Sequence, residues 1–426
     1  MSSDDNALAS QAAIAASPIA GACKSPVIMF IAGENSGDLH GAKLISELKK
    51  LFPDSDFFGF GGDRMERAGM HLVENLAQKL PIIGATQVIK NIGKIRALLR
   101  LAAQLLEARK PDVLVLIDYP GFNLRTSKVA RKLDIPVIYY ISPQVWAWHK
   151  SRLEIIRQNV SKMLVILPFE ADMYDREKIP AVFVGHPLQD TEIDEIDWKT
   201  SAVQSTCSRQ LVRESIGASE EDTVIGLIPG SRESEIIRHL PVMLGAARII
   251  QQRIPRSRFV LPKATTVPDS LLKKYLDRFS DVKVLVSDKG HQDLRSAMDF
   301  AICKSGTSTL EFAIQEIPMV IIYKASWLTG VIARRMVKIP FLGLVNIVAQ
   351  EEVAPEILQQ DATPGNIAER VIALLKSPEK LGEMRRGLAE VKAKLGGPGA
   401  SKRAATEIAE VIREKRINSK SLTQQT

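Results

Sequence analysis

From residue 26 onward, short apolar runs alternate with stretches whose apolar residues recur every three or four positions. Val27-Ile28-Met29-Phe30-Ile31-Ala32 is apolar at every position, which predicts a strand buried on both faces. A turn, Gly33-Glu34-Asn35-Ser36-Gly37, follows it, and then Leu39, Ala42, Ile45 and Leu48 fall at helical spacing. Residues 57–60, 113–117, 137–141, 163–167 and 181–184 predict further strands. Residues 189–222 are polar, acidic at first, and predict a linker and insert with one short helix. A second series opens with Val224-Ile225-Gly226-Leu227-Ile228 and continues at 259–261, 282–286, 300–303 and 319–323. Strands alternating with helices predict parallel sheets. The expected fold is therefore α/β, with two doubly wound Rossmann-like domains, 26–188 and 223–395, facing a central cleft. A C-terminal helix and polar tail, 396–426, follow; the pattern leaves open whether that helix crosses back onto the first half. Residues 1–25 are expected to be a disordered leader. Its Ala-rich stretch imitates a signal peptide, but Asp4 and Asp5 stand where a basic region would be needed.

Composition narrows the function without choosing it. Of 426 residues, 45% are hydrophobic and 25% charged, which excludes a disordered chain, a collagen and a polytopic membrane protein. A net charge of +8 suits anionic partners such as phosphate esters, nucleic acid or an anionic membrane face. Aromatics at only 5% weaken the nucleic-acid reading, because stacking platforms are scarce. Cys23, Cys207 and Cys303 have neither zinc-ligand nor disulfide-framework spacing, so a reducing, cytoplasmic setting is expected. No His pair has metal-ligand spacing either, and no cofactor is expected.

Ligands of doubly wound sheets bind beyond the strand C-terminal ends, so the strand exits are where chemistry is expected. Pro229-Gly230-Ser231-Arg232 joins a strand to a helix. It is either an anion cradle with a forked Arg232 donor or a tight turn with a solvated arginine. Ser305-Gly306-Thr307-Ser308 reads as a second cradle, or as a helix start in which Ser308 and Glu311 form a capping box. Glu311 could instead hold a ribose hydroxyl. In the first half, Gly33 to Asp38 is the matching turn, with Gly37 permitting close backbone approach and Ser36 able to cap. Asp118, in Asp118-Tyr119-Pro120-Gly121-Phe122-Asn123, is either a turn cap or a base at the cleft. Ser142-Pro143-Gln144-Val145-Trp146-Ala147-Trp148-His149 places two aromatic faces and a histidine at the next exit, and His186 lies at a later one. Asp54-Ser55-Asp56 imitates a metal-binding DxD but precedes its strand, so it reads as a turn.

Residues 90–110 predict an amphipathic helix with a stripe of Ile92, Ile95, Leu99, Ala102 and Leu106, and with Lys90, Lys94, Arg96 and Arg100 basic. An ordinary packing helix is slightly favoured on pattern alone. Leu98 and Leu101, with the apolar Pro81-Ile82-Ile83-Gly84 upstream, favour a membrane-surface helix instead.

Taken together, these segments resemble lipid-A-disaccharide synthases. The match runs through Ala32-Gly33-Glu34-Asn35-Ser36-Gly37-Asp38, the Asp118 and Trp146 segments, Leu167-Pro168-Phe169-Glu170 and Gly185-His186-Pro187. It continues through Pro229-Gly230-Ser231-Arg232 and Ser305-Gly306-Thr307, covering about 26–395. The resemblance implies a GT-B-type inverting glycosyltransferase that needs no metal. Its substrates would be UDP-2,3-diacylglucosamine and 2,3-diacylglucosamine 1-phosphate, and it would sit peripherally on the cytoplasmic face of the inner membrane. It implies Asp118 and Arg232 as catalytic residues. Ser231, Ser305, Gly306, Thr307, Ser308, Glu311 and Asn346 fall on the donor side. Gly33, Glu34, Ser36, Gly37, Asn123, Trp146, Trp148 and His186 fall on the acceptor or acyl side, with Leu98, Leu99 and Leu101 against the membrane. No nucleic acid is expected as a partner, and a homodimer stays open. Gly121 stands where many relatives carry Asp, and Lys304 where a small residue is usual. A transferase with a soluble acceptor and a non-catalytic nucleotide-sugar-binding protein are the alternatives.

Overall fold

The computed structural model describes residues 25–76, 92–146, 151–190, 202–264, 266–287, 291–325 and 340–423. The chain divides into two units, between Thr191 and Glu192 and again between Leu395 and Gly396.

The first unit is built on a seven-stranded sheet of order β3-β2-β1-β4-β5-β6-β7. Its strands are β1 (Val27–Ala32), β2 (Asp56–Gly61), β3 (His71–Asn75), β4 (Val113–Ile117), β5 (Val137–Tyr140), β6 (Lys162–Val165) and β7 (Ala181–Phe183). All pairings are parallel. Alternation of side chains explains the continuous apolar runs. Ile28, Phe30, Val113 and Val115 face Leu44, Ile45 and Leu48 of the helix Asn35–Leu51. Met29, Ile31, Leu114 and Leu116 face the helices Ile92–Arg109 and Pro120–Lys132. Of the DxD-like pair, Asp54 lies in the turn before β2, whereas Asp56 is the first residue of the strand and pairs with Arg109.

The helix Ile92–Arg109 corrects one expectation. Leu98 and Leu101 are only 6% and 3% exposed, and with Leu105 and Leu106 they pack into the core. Leu99 is half-buried against the same cluster. Burying a leucine contributes about 1.5–3 kcal/mol, so a helix offered a sheet to cover turns these residues inward. They do not form a membrane surface. Pro81-Ile82-Ile83-Gly84 lies outside the described residues.

The C-terminal helix Ala400–Thr423 belongs to the first unit. Ala404, Ala405, Ile408 and Ile412 complete the core beside the helix Asn35–Leu51. The Asp190 carboxylate accepts from the N–H groups of Gly399, Ala400 and Ser401, at 2.7, 3.0 and 2.9 Å. A carboxylate supplied from so distant a position in the chain caps the helix end and suits its positive dipole.

The second unit has a six-stranded parallel sheet of order β10-β9-β8-β11-β12-β13. The strands are β8 (Thr223–Ile228), β9 (Ser257–Pro262), β10 (Val284–Ser287), β11 (Phe300–Lys304), β12 (Met319–Tyr323) and β13 (Glu356–Leu358). Its helix Glu233–Arg253 packs along Pro364–Leu375. In each unit the strand order reverses beside the first strand, between β1 and β4 and between β8 and β11. Ligands of such sheets bind at that reversal, outside the strand C-terminal ends.

Candidate active site

In the first unit the reversal point is occupied by Asp118 and the glycine turn after β1. Asp118 and Tyr119 both have left-handed backbones, with φ of 44° and 47°. Two successive non-glycine residues in that region are strained, and the surroundings must over-determine them. They do. The Asn123 amide donates to the carbonyls of Ile117 and Asp118, at 3.2 and 2.6 Å. The Tyr139 hydroxyl donates to the Asp118 carbonyl at 2.6 Å. Pro120 then starts the helix Pro120–Lys132, where its missing N–H costs nothing. The Tyr119 ring lies flat against Gly33, where a Cβ would come within 2.3 Å of the ring. Gly33 is therefore required by this ring, and the contact ties the β1 exit to the β4 exit.

Asp118 is half-buried, and its carboxyl is pushed up to about 6, first by burial and then by the charge of Glu34. Glu34 is exposed at the N-cap position of the helix Asn35–Leu51. Ser36 is exposed in the first turn and makes no capping bond, which corrects its expected role as a cap. Gly37 is buried against Ala32. Asn123 is buried, and its amide group holds the Asp118 turn rather than facing outward.

The exits of β5 and β6 are joined by a buried carboxyl that sequence reasoning missed. Glu170 accepts from the Trp146 indole N–H at 3.2 Å and from the Leu167 N–H at 3.2 Å. Burial pushes its carboxyl up to about 7. Trp146 also meets Phe169 edge to face, with ring centres 5.4 Å apart. The available signal was Glu170 standing three residues after Leu167, the spacing of a reciprocal cap. Trp148 and His149 lie outside the described residues. His186 is 4% exposed and accepts from the Leu188 N–H at 3.2 Å, and burial holds its imidazole neutral, down at about 3. Through Nδ1 it stabilises its own turn.

In the second unit, Pro229 to Arg232 leave β8 and Lys304 to Ser308 leave β11, on either side of the reversal. Ser231 and Arg232 are exposed. Thr266 donates to the Ser231 carbonyl at 2.6 Å, bringing in the β9 exit. His239 accepts from the Lys324 N–H at 3.0 Å through Nε2 and meets the Glu235 carbonyl through Nδ1 at 2.8 Å, bringing in the β12 exit. Burial lowers the His239 pKa, in keeping with a neutral ring in this bridge. Ser305 is buried and donates to the Leu342 carbonyl at 2.7 Å. Gly306 and Thr307 start the first turn of Ser308–Ile314, their carbonyls accepting from Thr309 and Leu310.

One donor-side expectation changes, and one capping reading is removed. Asn346 is 0% exposed. Its amide donates to the Ala354 carbonyl and the Glu356 carboxylate, at 2.7 and 2.9 Å. Its Oδ1 accepts from the N–H groups of Val353 and Ala354, at 3.0 and 2.9 Å. With its hydrogen-bonding capacity used, it shapes the loop before β13 and has nothing left for a donor nucleotide. Glu311 forms no capping box; it pairs with the buried Arg295 at 2.7 Å.

Two parallel Rossmann-like sheets, with polar residues at both reversals, define a GT-B-type protein. The structure of a UDP-GlcNAc 2-epimerase from Neisseria meningitidis is similar in fold, with a TM-score of 0.59 at 14% identity over 91% of this chain and 100% of that one. A model of the lipid-A-disaccharide synthetase family matches residues 28–411, and the chain belongs to that family. It is 41% identical to the lipid-A-disaccharide synthase of Trichlorobacter lovleyi over 91% of this chain and 98% of that protein. It is 40% identical to that of Geobacter sulfurreducens over 90% and 97% of the two chains.

Proposed function

We infer that this chain is a hexosyltransferase joining UDP-2,3-diacylglucosamine to 2,3-diacylglucosamine 1-phosphate, with the β-1′,6-linked disaccharide 1-phosphate and UDP as products. Family membership supports the reaction. The observation that carries the chemistry is Asp118, a carboxyl poised near 6 on a strained turn at a strand-order reversal.

In the mechanism, the acceptor 6-hydroxyl attacks the donor anomeric carbon while the Asp118 carboxylate takes its proton. The bond from that carbon to the diphosphate oxygen breaks, and UDP leaves with the electron pair. Attack on the face opposite the leaving group inverts the anomeric centre, as in inverting glycosidases with water as nucleophile. Arg232, Ser231 and the Gly306–Ser308 N–H groups meet the charge that grows on the diphosphate, and donors aimed at developing charge lower the barrier most. Tyr139 and Asn123 hold the turn that aims Asp118.

Acyl substrates call for a membrane-facing surface. Among the described residues no helix is long and apolar enough to cross a membrane. The exposed start of the helix Ile92–Arg109 supports peripheral contact instead: Ile92 is 48% exposed, and Lys94, Arg96 and Arg100 are exposed beside it. Flotation with anionic vesicles should recover the protein, and Glu at positions 94, 96 and 100 should reduce that recovery; equal recovery removes this surface from the account. The reaction itself is tested by mass spectrometry of products from the two diacyl substrates. A disaccharide 1-phosphate is expected, and its absence with a folded enzyme contradicts the reading.

A further inference from the structure

The phosphate cradle after β8 already holds an anion, and it belongs to the protein. Glu235 Oε2 accepts from the Ser231 N–H at 3.0 Å and from the Arg232 N–H at 3.4 Å. Its Oε1 accepts from the Lys304 ammonium at 2.9 Å. Gly230, at φ 113°, brings its backbone so close that a Cβ there would fall 2.2 Å from Glu235 Oε2. Lys304 in turn leans over the second glycine turn, its Nζ 3.3 Å from where a Gly306 Cβ would stand. One carboxylate thus takes two backbone donors and a cation that both cradles present to their interior. Both partners are mostly buried, at 14% and 20% side-chain exposure. Burial opposes the charged carboxylate, yet Lys304 and the backbone donors outweigh it and hold Glu235 below the usual range.

We propose that Glu235 is an internal stand-in for the donor diphosphate, which a bound nucleotide must displace from the Ser231 and Arg232 N–H groups and from Lys304. The inference rests on the donor-site reading above and deepens it. An anion of the protein's own keeps the half-buried Lys304 ammonium paired when the site is empty, and it occupies the exposed Ser231 and Arg232 N–H groups that a diphosphate would use. The same carboxylate returns to the cradle as UDP departs, so it favours product release. Lys304 is then a shared cation, passed between Glu235 and the diphosphate. A ligand that must displace an occupant binds more weakly by the fraction of protein whose cradle is open.

The sign of the effect separates this role from that of a helix cap. Full-length wild type, Glu235→Gln, Glu235→Asp and Lys304→Gln are titrated calorimetrically with UDP and with uridine, which lacks the diphosphate. The stand-in predicts that UDP binds about 3- to 10-fold tighter to both Glu235 variants, while uridine affinity changes less than about 2-fold. Lys304→Gln should weaken UDP by several-fold. In turnover, Glu235→Gln should lower KM for the UDP-sugar without raising kcat. Unchanged or weaker UDP binding in folded Glu235 variants overturns the proposal and leaves Glu235 a cap. Unchanged UDP affinity in Lys304→Gln also overturns it, and that variant decides the matter if neither Glu235 variant folds. Wild type that makes disaccharide while the variants show no tightening removes the stand-in alone. Wild type that binds no UDP removes the donor-site reading with it.

Discussion

The two units repeat one topology and load it with opposite electrostatics. At the reversal in the first sheet stands a carboxyl against which no cation is set among the described residues. Asp118 rises to about 6 through burial and the neighbouring charge of Glu34, and Glu170, nearby in the same unit, rises to about 7. At the reversal in the second sheet the carboxylate is paired, and Glu235 is held low against Lys304 with Arg232 beside it. The difference shows how one strand order yields two chemical tools. In the proposed mechanism, burial beside another carboxylate prepares a proton acceptor near neutral pH, whereas cations and backbone N–H groups prepare a cradle for a leaving diphosphate.

Substitutions that remove one tool and leave the other test this contrast most sharply. Asp118→Asn should lower kcat by about 10²- to 10⁴-fold, the range of general base catalysis, with UDP affinity in calorimetry close to wild type. Near-normal turnover would refute the base role. Arg232→Ala should cost about 10²-fold in kcat and also weaken UDP, because its contribution lies on the leaving group. Loss of acceptor binding alone would place Arg232 elsewhere. A smaller effect, on stability, comes from Glu170. Its folded pKa lies above the ordinary 4.5, so the folded state binds more protons than the unfolded chain between about 4.5 and 7. Stability therefore falls as pH rises through that window. Glu170→Gln escapes the loss, so its Tm relative to wild type should climb by a few degrees between about pH 5 and pH 8. A constant difference across that range would mean that Glu170 stays ionised throughout.

Much of this contrast is written in the residue pattern. β1, β4, β8 and β11 are legible because strands buried on both faces are apolar throughout, and their exits then point to Asp118 and to the Pro229–Arg232 turn. β3, His71–Asn75, is an edge strand with a polar, half-exposed pattern, and β13 has only three residues, so neither carries a period to read. The helix Ile92–Arg109 has apolar residues on two adjoining stripes, and only the sheet decides that Leu98 and Leu101 turn inward. Asn346 carries the right chemistry for a site, but pattern cannot reveal that neighbours already use its hydrogen-bonding capacity. Glu170 and Glu235 could have been found from their place three residues after an N-cap, yet that spacing does not say that one meets neutral donors and the other a lysine.

The pH profile of kcat/KM for wild type and Glu34→Gln, which reports the free enzyme's base, tests the central claim most directly. Because Asp118 must be ionised to accept a proton, the rate should fall as pH drops through about 6, and removing the Glu34 charge should move that limb to lower pH. A rate independent of pH across this region, or a limb that stays in place in Glu34→Gln, would contradict the account.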